Sequence, residues 1–265
     1  MSTDLETVIG RVGMSRRYRG VDPALVRRLA SEELPRARNL DDAAKRVKRR
    51  LHQAVGAFTR GATTLDAVRD AWRGDIAAPA FRDACARAMM RHASTAERVP
   101  HLPQFYRGIW ELTGAPERLL DLGCGLGPLA LPWMELPPAA HYTAVDVDRG
   151  ALQAAEDTLR LVGQPHDIIE RDLVTTPSDE PADVALLLKL VTTLDRQDPD
   201  AAARLVGRLR VRHAVVSFTR RSLGGRSRGM ERTYRERLAR LSDAVGVAEV
   251  REASVDNELV FVLTL

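Results

Sequence analysis

Arg118-Leu-Leu-Asp-Leu-Gly-Cys-Gly-Leu-Gly127 is the stretch that decides the fold. A short apolar run, Arg118 to Leu122, passes directly into three glycines at alternate positions, and Pro128 then opens a helical stretch to Leu136. Glycines between a strand and a helix let the backbone come close to a ligand, and the helix start offers free N–H groups. The spacing is GxGxG rather than the GxGxxG of dinucleotide folds. Asp121 stands two positions before the first glycine. A carboxylate there repels a pyrophosphate and suits a cationic sulfonium ligand that also carries an amino group.

Working outward, the same strand-like pattern recurs in His141-Tyr-Thr-Ala-Val-Asp146, Asp167-Ile-Ile-Glu170, Asp183-Val-Ala-Leu-Leu-Leu188, His213-Ala-Val-Val-Ser-Phe218 and Leu259-Val-Phe-Val-Leu263. Helical periodicity fills the gaps at Pro128–Leu136, Arg149–Val162, Pro199–Leu209 and Gly229–Val245. Strands alternating with helices predict an α/β fold with a parallel, doubly wound, Rossmann-like sheet. Two closely spaced runs at the end, Ala248–Ala253 and Glu258–Leu265, predict an antiparallel hairpin at one edge.

Three acids fall at the carboxyl ends of successive strands, where such sheets bind ligands. Asp121 precedes the glycine loop. Asp146, followed by Val147, ends the second strand and can accept both ribose hydroxyls, while Asp148 suits the N-cap of the next helix. Asp172, followed by Leu173, comes after the third strand, within reach of an adenine amino group. With Gly123 and Gly125, this constellation predicts an S-adenosyl-L-methionine pocket and hence a methyltransferase domain.

The first hundred residues differ in kind. Asp22-Pro23 is a helix-start signal before Leu25, Val26 and Leu29, and Leu40 to Phe58 sets Ala44, Val47, Leu51 and Val55 on one face. Thr64–Trp72 and Ala80–His92 add two short amphipathic stretches. Residues 1–100 hold 20 Lys and Arg against 12 Asp and Glu; the remainder holds 20 against 24, and together they give the overall +4. A basic helical module beside an acidic one predicts a polyanion partner, with Lys45, Arg46, Lys48, Arg49 and Arg50 as an RNA backbone grip. The expected division is a basic helical domain over 1–105 and a methyltransferase domain over 106–265. No apolar run reaches the length of a membrane span. The start lacks a secretory pattern, and two cysteines make neither a disulfide framework nor a CxxC metal site. The expectation is a cytoplasmic protein with no metal and no membrane partner.

Four further stretches resemble the aminoglycoside-resistance 16S rRNA methyltransferases, which methylate guanine N7 at decoding-site position 1405 on the assembled 30S subunit. They are His92-Ala-Ser-Thr-Ala-Glu-Arg98, the glycine loop itself, Ala185-Leu-Leu-Leu-Lys-Leu190, and Val216-Ser-Phe-Thr-Arg-Arg-Ser-Leu-Gly-Gly-Arg-Ser-Arg-Gly-Met230. The first and last of these are the more specific, since the glycine loop is common to many methyltransferases. The resemblance implies that Arg98 pairs with the methionine carboxylate, a task that suits a planar guanidinium fork. Lys189, one of three lysines, ends an apolar strand and so points into the ligand crevice, where with the resemblance it reads as positioning cofactor or target base. His92, which nothing else marks, reads as a structural partner rather than a base. In the last stretch, Arg226 and Arg228 are candidates for phosphates, and Met230 and Tyr234 for support of an extruded base. No catalytic acid or base is assigned, because guanine N7 carries a lone pair and no proton. The resemblance also implies a monomer.

Two departures stand out: many members of that family carry Asn where this chain has Gly127, and a Pro-containing stretch where it has Thr192-Thr193. Two other functions share these signals. One is a methyltransferase for a small molecule or another RNA site; the other is a non-catalytic ribosome-binding protein on the same fold.

Overall fold

A computed structural model describes residues 2–56, 65–220, 228–253, 255 and 258–265. Parallel strands β1 (Arg118–Leu122), β2 (His141–Asp146), β3 (His166–Glu170), β4 (Pro181–Leu188) and β5 (Arg210–Thr219) are joined by β6 (Glu249–Ala253) and β7 (Glu258–Thr264) in the order β3-β2-β1-β4-β5-β7-β6. β7 runs antiparallel between β5 and β6, which is the expected hairpin edge. The connection reverses direction between β1 and β4, and a crevice opens at the carboxyl ends of those strands.

Helices α1 (Ser2–Gly13), α2 (Pro23–Glu33) and α3 (Leu40–Leu51) pack around their own core of Val8, Val12, Leu25, Leu29, Val47 and Leu51. Asp22 and Asn39 cap α2 and α3 as acceptors for Ala24 and Asp42 N–H. Four more helices follow, α4 (Asp66–Ala71), α5 (Pro79–Met89), α6 (Ala93–Ala96) and α7 (Leu102–Thr113). Val68, Phe81, Phe105, Tyr106 and Ile109 from this group share one apolar cluster with Leu119, Leu186 and Val262 of the sheet. The core is therefore continuous across residue 105, and the module with a core of its own is the one built from residues 8–55. The opposite face of the sheet is covered by α10 (Val191–Asp195), α11 (Ala201–Val206) and α12 (Arg228–Val245). Helices α8 (Leu131–Met134) and α9 (Arg149–Val162) share the apolar cluster of α4–α7, on the first face.

Several boundaries differ from the expectation. The stretch from Leu40 leaves α-helical geometry after Leu51 for one wider turn, His52–Gly56, and Phe58 lies outside the described residues. Pro128–Leu136 is a 3-10 turn, Gly127–Ala130, followed by the four residues of α8. The cause is Pro132, which has no N–H to return to the Pro128 carbonyl. Lys189 falls one residue beyond β4 with φ +61°, a left-handed conformation that costs an L-residue roughly 1–2 kcal/mol.

Candidate functional site

The glycine loop forms the floor of the crevice. Gly123 and Gly125 have φ of +64° and +51°. The Gly123 and Cys124 N–H groups donate to the Val145 carbonyl at 2.8 and 3.1 Å, which binds the loop to the end of β2. A Cβ on Gly123 would lie 2.8 Å from Leu190, and one on Gly125 would lie 3.2 Å from the His92 ring. The cradle therefore stays open only because these residues have no side chain.

One pocket brings together Gly123, Gly125, Asp146, Val147, Asp172, Leu173 and Lys189. These are seven of the nine residues expected around the cofactor and the reacting end. Asp146 is buried and accepts from Gly125 N–H at 2.8 Å, Val147 N–H at 2.7 Å and Asp148 N–H at 2.9 Å. A carboxylate has about four acceptor positions, so this leaves room for one ribose hydroxyl rather than two. Burial nonetheless outweighs these donors and pushes its pKa up to about 6. Asp148 caps α9 as expected, accepting from Gly150 and Ala151 N–H.

The other two, Asp121 and Arg98, sit behind the pocket wall. Asp121 is buried, accepts from the Tyr142 hydroxyl at 2.5 Å, and is raised to about 6 by burial. Its Oδ2 fills the space beside Gly127, where a Cβ would lie 2.7 Å away. Arg98 lies over the Phe105 ring, 4.4 Å from its centroid, and gives both Nε and Nη2 to Glu258 at 3.0 Å. Glu258 is fully buried, and it also accepts from Ser217 Oγ at 2.7 Å and lies 3.4 Å from Lys189 Nζ. Despite its burial, the Arg98 and Lys189 charges hold its carboxyl below the usual carboxylate range. Lys189 Nζ further donates to the Ser94 carbonyl at 3.0 Å and to Glu97 at 2.7 Å. The two distant motifs that begin at His92 and Val216 thus meet at one charged cluster.

His92 lines the pocket with Nδ1 2.7 Å from Ser94 Oγ. Burial, then the Lys189 and Arg98 charges, lower its pKa to about 4, so the ring is neutral at neutral pH. A neutral ring held in this way fits a structural partner.

The basic stretch on α3 divides in two. Arg46 and Arg50 turn inward: Arg46 pairs with Glu33 at 2.7 Å, and Arg50 pairs with Glu32 and Glu33 and reaches the Gln197 carbonyl at 3.4 Å. Lys45 and Arg49 are exposed and Lys48 is half-buried, so these three form the outward basic face. Tyr234 also departs from the expectation. Its ring stacks on Phe218 with centroids 4.8 Å apart and planes at 16°, which makes it a packing residue of the sheet's second face. Met230 is half-buried in the first turn of α12, Arg228 opens that helix, and Arg226 lies outside the described residues. Among the described residues no cluster of His, Cys, Asp and Glu could hold a metal ion, and no helix is long and apolar enough to cross a membrane.

Sequence reasoning missed Glu258, Tyr142 and Arg28. The one available signal was an acid at the head of an otherwise apolar terminal strand, Glu258-Leu-Val-Phe-Val-Leu, which reads equally well as a turn residue.

Comparison with known proteins agrees with this geometry. The family described as ribosomal RNA methyltransferase (FmrO) matches residues 14–262. A 16S rRNA (guanine(1405)-N(7))-methyltransferase of Micromonospora rosea is 38% identical over 258 residues, spanning 94% of this chain and 92% of its own. One of the same name from Micromonospora echinospora is 37% identical, spanning 98% and 96%. The crystal structure of the 16S rRNA methyltransferase RmtF in complex with S-adenosyl-L-homocysteine superposes with a TM-score of 0.80 at 33% identity, over 100% of this chain and 99% of that one.

Proposed function

The chain belongs to the ribosomal RNA methyltransferase (FmrO) family, and from that premise we infer that it transfers a methyl group from S-adenosyl-L-methionine to N7 of guanine 1405 in 16S rRNA. The observation that carries this reading is the single pocket in which the glycine cradle, Asp146, Asp172 and Lys189 converge at the switch point of the sheet. The donor set fits the cofactor: a buried acid with one free acceptor position for ribose, a second buried acid, Asp172, in the same pocket, and apolar Val147 and Leu173 beside them in its lining.

S-adenosyl-L-methionine supplies an electrophilic methyl carbon on a sulfonium. The chain's own residues bind and orient. Asp146 would accept a ribose hydroxyl, and Asp172, already held by Arg28 and Val174 N–H, would take the adenine amino group on a remaining lone pair. The buried Arg98 and Asp121 would act on the methionine end by charge from behind the pocket lining. The acceptor under this reading, guanine N7, carries an in-plane lone pair and no proton. No proton moves, so no general base is required, and His92, its pKa lowered to about 4, would be a weak one. The contribution of the protein is alignment for in-line displacement, with Lys189, fixed by Ser94, Glu97 and Glu258, at the pocket edge where the target base enters. Turning the base out of its helix costs a few kcal/mol, offset by phosphate contacts.

The partner under this reading is the cytoplasmic 30S subunit, gripped by the outward face of α3 and by the segment around Arg226 and Arg228, and the enzyme acts as a monomer. The added methyl and fixed positive charge at the decoding site repel cationic aminoglycosides, giving resistance. The test is labelled methyl transfer offered in parallel to 30S subunits and naked 16S rRNA. Transfer to subunits alone, with a raised inhibitory concentration of gentamicin in cells expressing the protein, supports the reading. Transfer to free RNA alone, or unchanged sensitivity in cells with methylated rRNA, contradicts it.

A further inference from the structure

We propose that Arg28 is a positioning residue of the cofactor site, through which the N-terminal helical module holds the adenosine side of the pocket closed. This rests on the reading of the pocket as the S-adenosyl-L-methionine site. Two groups of contacts carry it.

The first is a backbone seam. Asp22 N–H donates to the Val147 carbonyl at 2.8 Å and Arg149 N–H donates to the Gly20 carbonyl at 2.8 Å, so that Val21 and Asp148 form a bridge. This short antiparallel pairing fastens the module to the loop that carries Asp146. The second is Arg28 itself, one turn into α2. Its Nε donates to Asp172 Oδ2 at 2.7 Å, its Nη2 to Gln197 Oε1 at 2.8 Å, and its Nη1 to Glu32 at 3.1 Å. The side chains of Arg28 and Asp172 are 12% and 5% exposed, so this ion pair is largely removed from solvent screening. Leu25 on the same helix and Val55 beyond α3 line the pocket alongside Asp172 and Leu173.

The two loops that meet adenosine are thus both held by residues 20–28, from a module whose core is separate from that of the sheet. Asp172 Oδ1 accepts Val174 N–H at 3.1 Å, and with Arg28 on Oδ2 the carboxylate is fixed in rotation. Without Arg28 the carboxylate keeps only the Val174 N–H on Oδ1, and the module keeps its backbone seam, its apolar contacts and the long Arg50 bond to the Gln197 carbonyl. Release of the cofactor, and of its product S-adenosyl-L-homocysteine, requires this cover to lift. The grip of the module on RNA and the hold of the pocket on cofactor are then linked, with a coupling that is reciprocal in free energy.

The experiment measures S-adenosyl-L-homocysteine release from the full-length protein by stopped flow, together with KM and kcat for S-adenosyl-L-methionine on 30S subunits. Arg28→Ala is expected to speed release about tenfold, a typical coupling between sites, and to raise the cofactor KM by a similar factor rather than lower kcat. Arg28→Lys, which keeps the charge but not the fork, is expected to fall between. Arg27→Ala, on the neighbouring exposed residue that pairs with Glu6, serves as the control and stays within twofold of the parent. Hydrogen exchange at the Asp22 and Arg149 amides should quicken in Arg28→Ala, a signature that simple loss of folded protein would not confine to those sites. If Arg28→Ala does not fold, Arg28→Gln carries the same expectation at smaller size. Release within twofold of the parent in a folded Arg28 variant overturns the proposal while leaving the cofactor reading standing. Failure of the parent protein to bind S-adenosyl-L-homocysteine overturns both.

Discussion

Arg98 and Glu258 face each other through two parallel hydrogen bonds of 3.0 Å, with the Arg98 side chain 3% exposed and that of Glu258 fully buried. They are 160 residues apart in the chain. Their pairing joins the segment before α7 to the head of β7, and Ser217 and Lys189 converge on the same carboxylate. Removing one partner of a buried pair leaves the other charge uncompensated, at a cost of about 3–5 kcal/mol. Glu258→Gln is therefore expected to lower the unfolding free energy by about that amount, read by denaturant titration. Loss of under about 1 kcal/mol would mean that the pair contributes no more than a surface one.

The same group sets one pH dependence, and Asp121 and Asp146 set another of opposite sign. Glu258 has a depressed folded pKa, so its stabilisation is present above the ordinary carboxylate range and is lost as the pH falls below it. Asp121 and Asp146 are raised to about 6 and hold their protons longer folded than unfolded. Their effect is a loss of stability as the pH rises from about 4 to about 6, flat above that. Donors on the cofactor favour the ionised acids. Affinity for S-adenosyl-L-homocysteine should therefore rise roughly tenfold from pH 5 to pH 7.5, with Asp146→Asn flattening the profile. Calorimetry at four pH values checks this, and a flat parent profile would contradict it.

Gly127 carries a separate expectation. A Cβ there would lie 2.7 Å from Asp121 Oδ2, so Gly127→Ala must push the carboxylate off the Tyr142 hydroxyl. Overpacking of this kind costs about 1–3 kcal/mol. The loss should appear both in thermal stability and as weaker cofactor binding. The double variant with Tyr142→Phe should lose less than the sum of the two single variants, because they disturb the same hydrogen bond. Additive losses would show that the glycine does not act through Asp121.

The division of α3 predicts two distinct phenotypes. Reversing Lys45, Lys48 and Arg49 to Glu should leave stability nearly unchanged, weaken binding to 30S subunits, and reduce the slope of log affinity against log salt by about one per lost phosphate contact. Arg50→Ala should instead destabilise, since it strips Glu32 and Glu33 of a partner. Filter binding across a salt series, with thermal melts alongside, separates them. The expectation fails if Arg50→Ala changes only the salt slope.

What the sequence disclosed and what it withheld follow from range. The glycine loop, Asp146 and the cap at Asp148 are legible because a strand, a tight turn and a helix start are local events that fix residue types at fixed spacing. The hairpin edge was legible for the same reason. Arg28 with Asp172 and Arg98 with Glu258 are pairings across 144 and 160 residues, and nothing local marks a partner at that distance. One intermediate case was within reach. Arg46 and Arg50 are four apart and so share one side of a helix, and Glu32-Glu33 on the preceding helix offered that side its counter-charge.

The most direct test of the central claim locates the added methyl group. Purified protein is incubated with 30S subunits and S-adenosyl-L-methionine, and the 16S rRNA is then digested and mapped by mass spectrometry. The account predicts one new N7-methylguanine, at position 1405, lost when Asp146 is changed to Asn. Methylation at another nucleotide, or at a guanine atom other than N7, would contradict it.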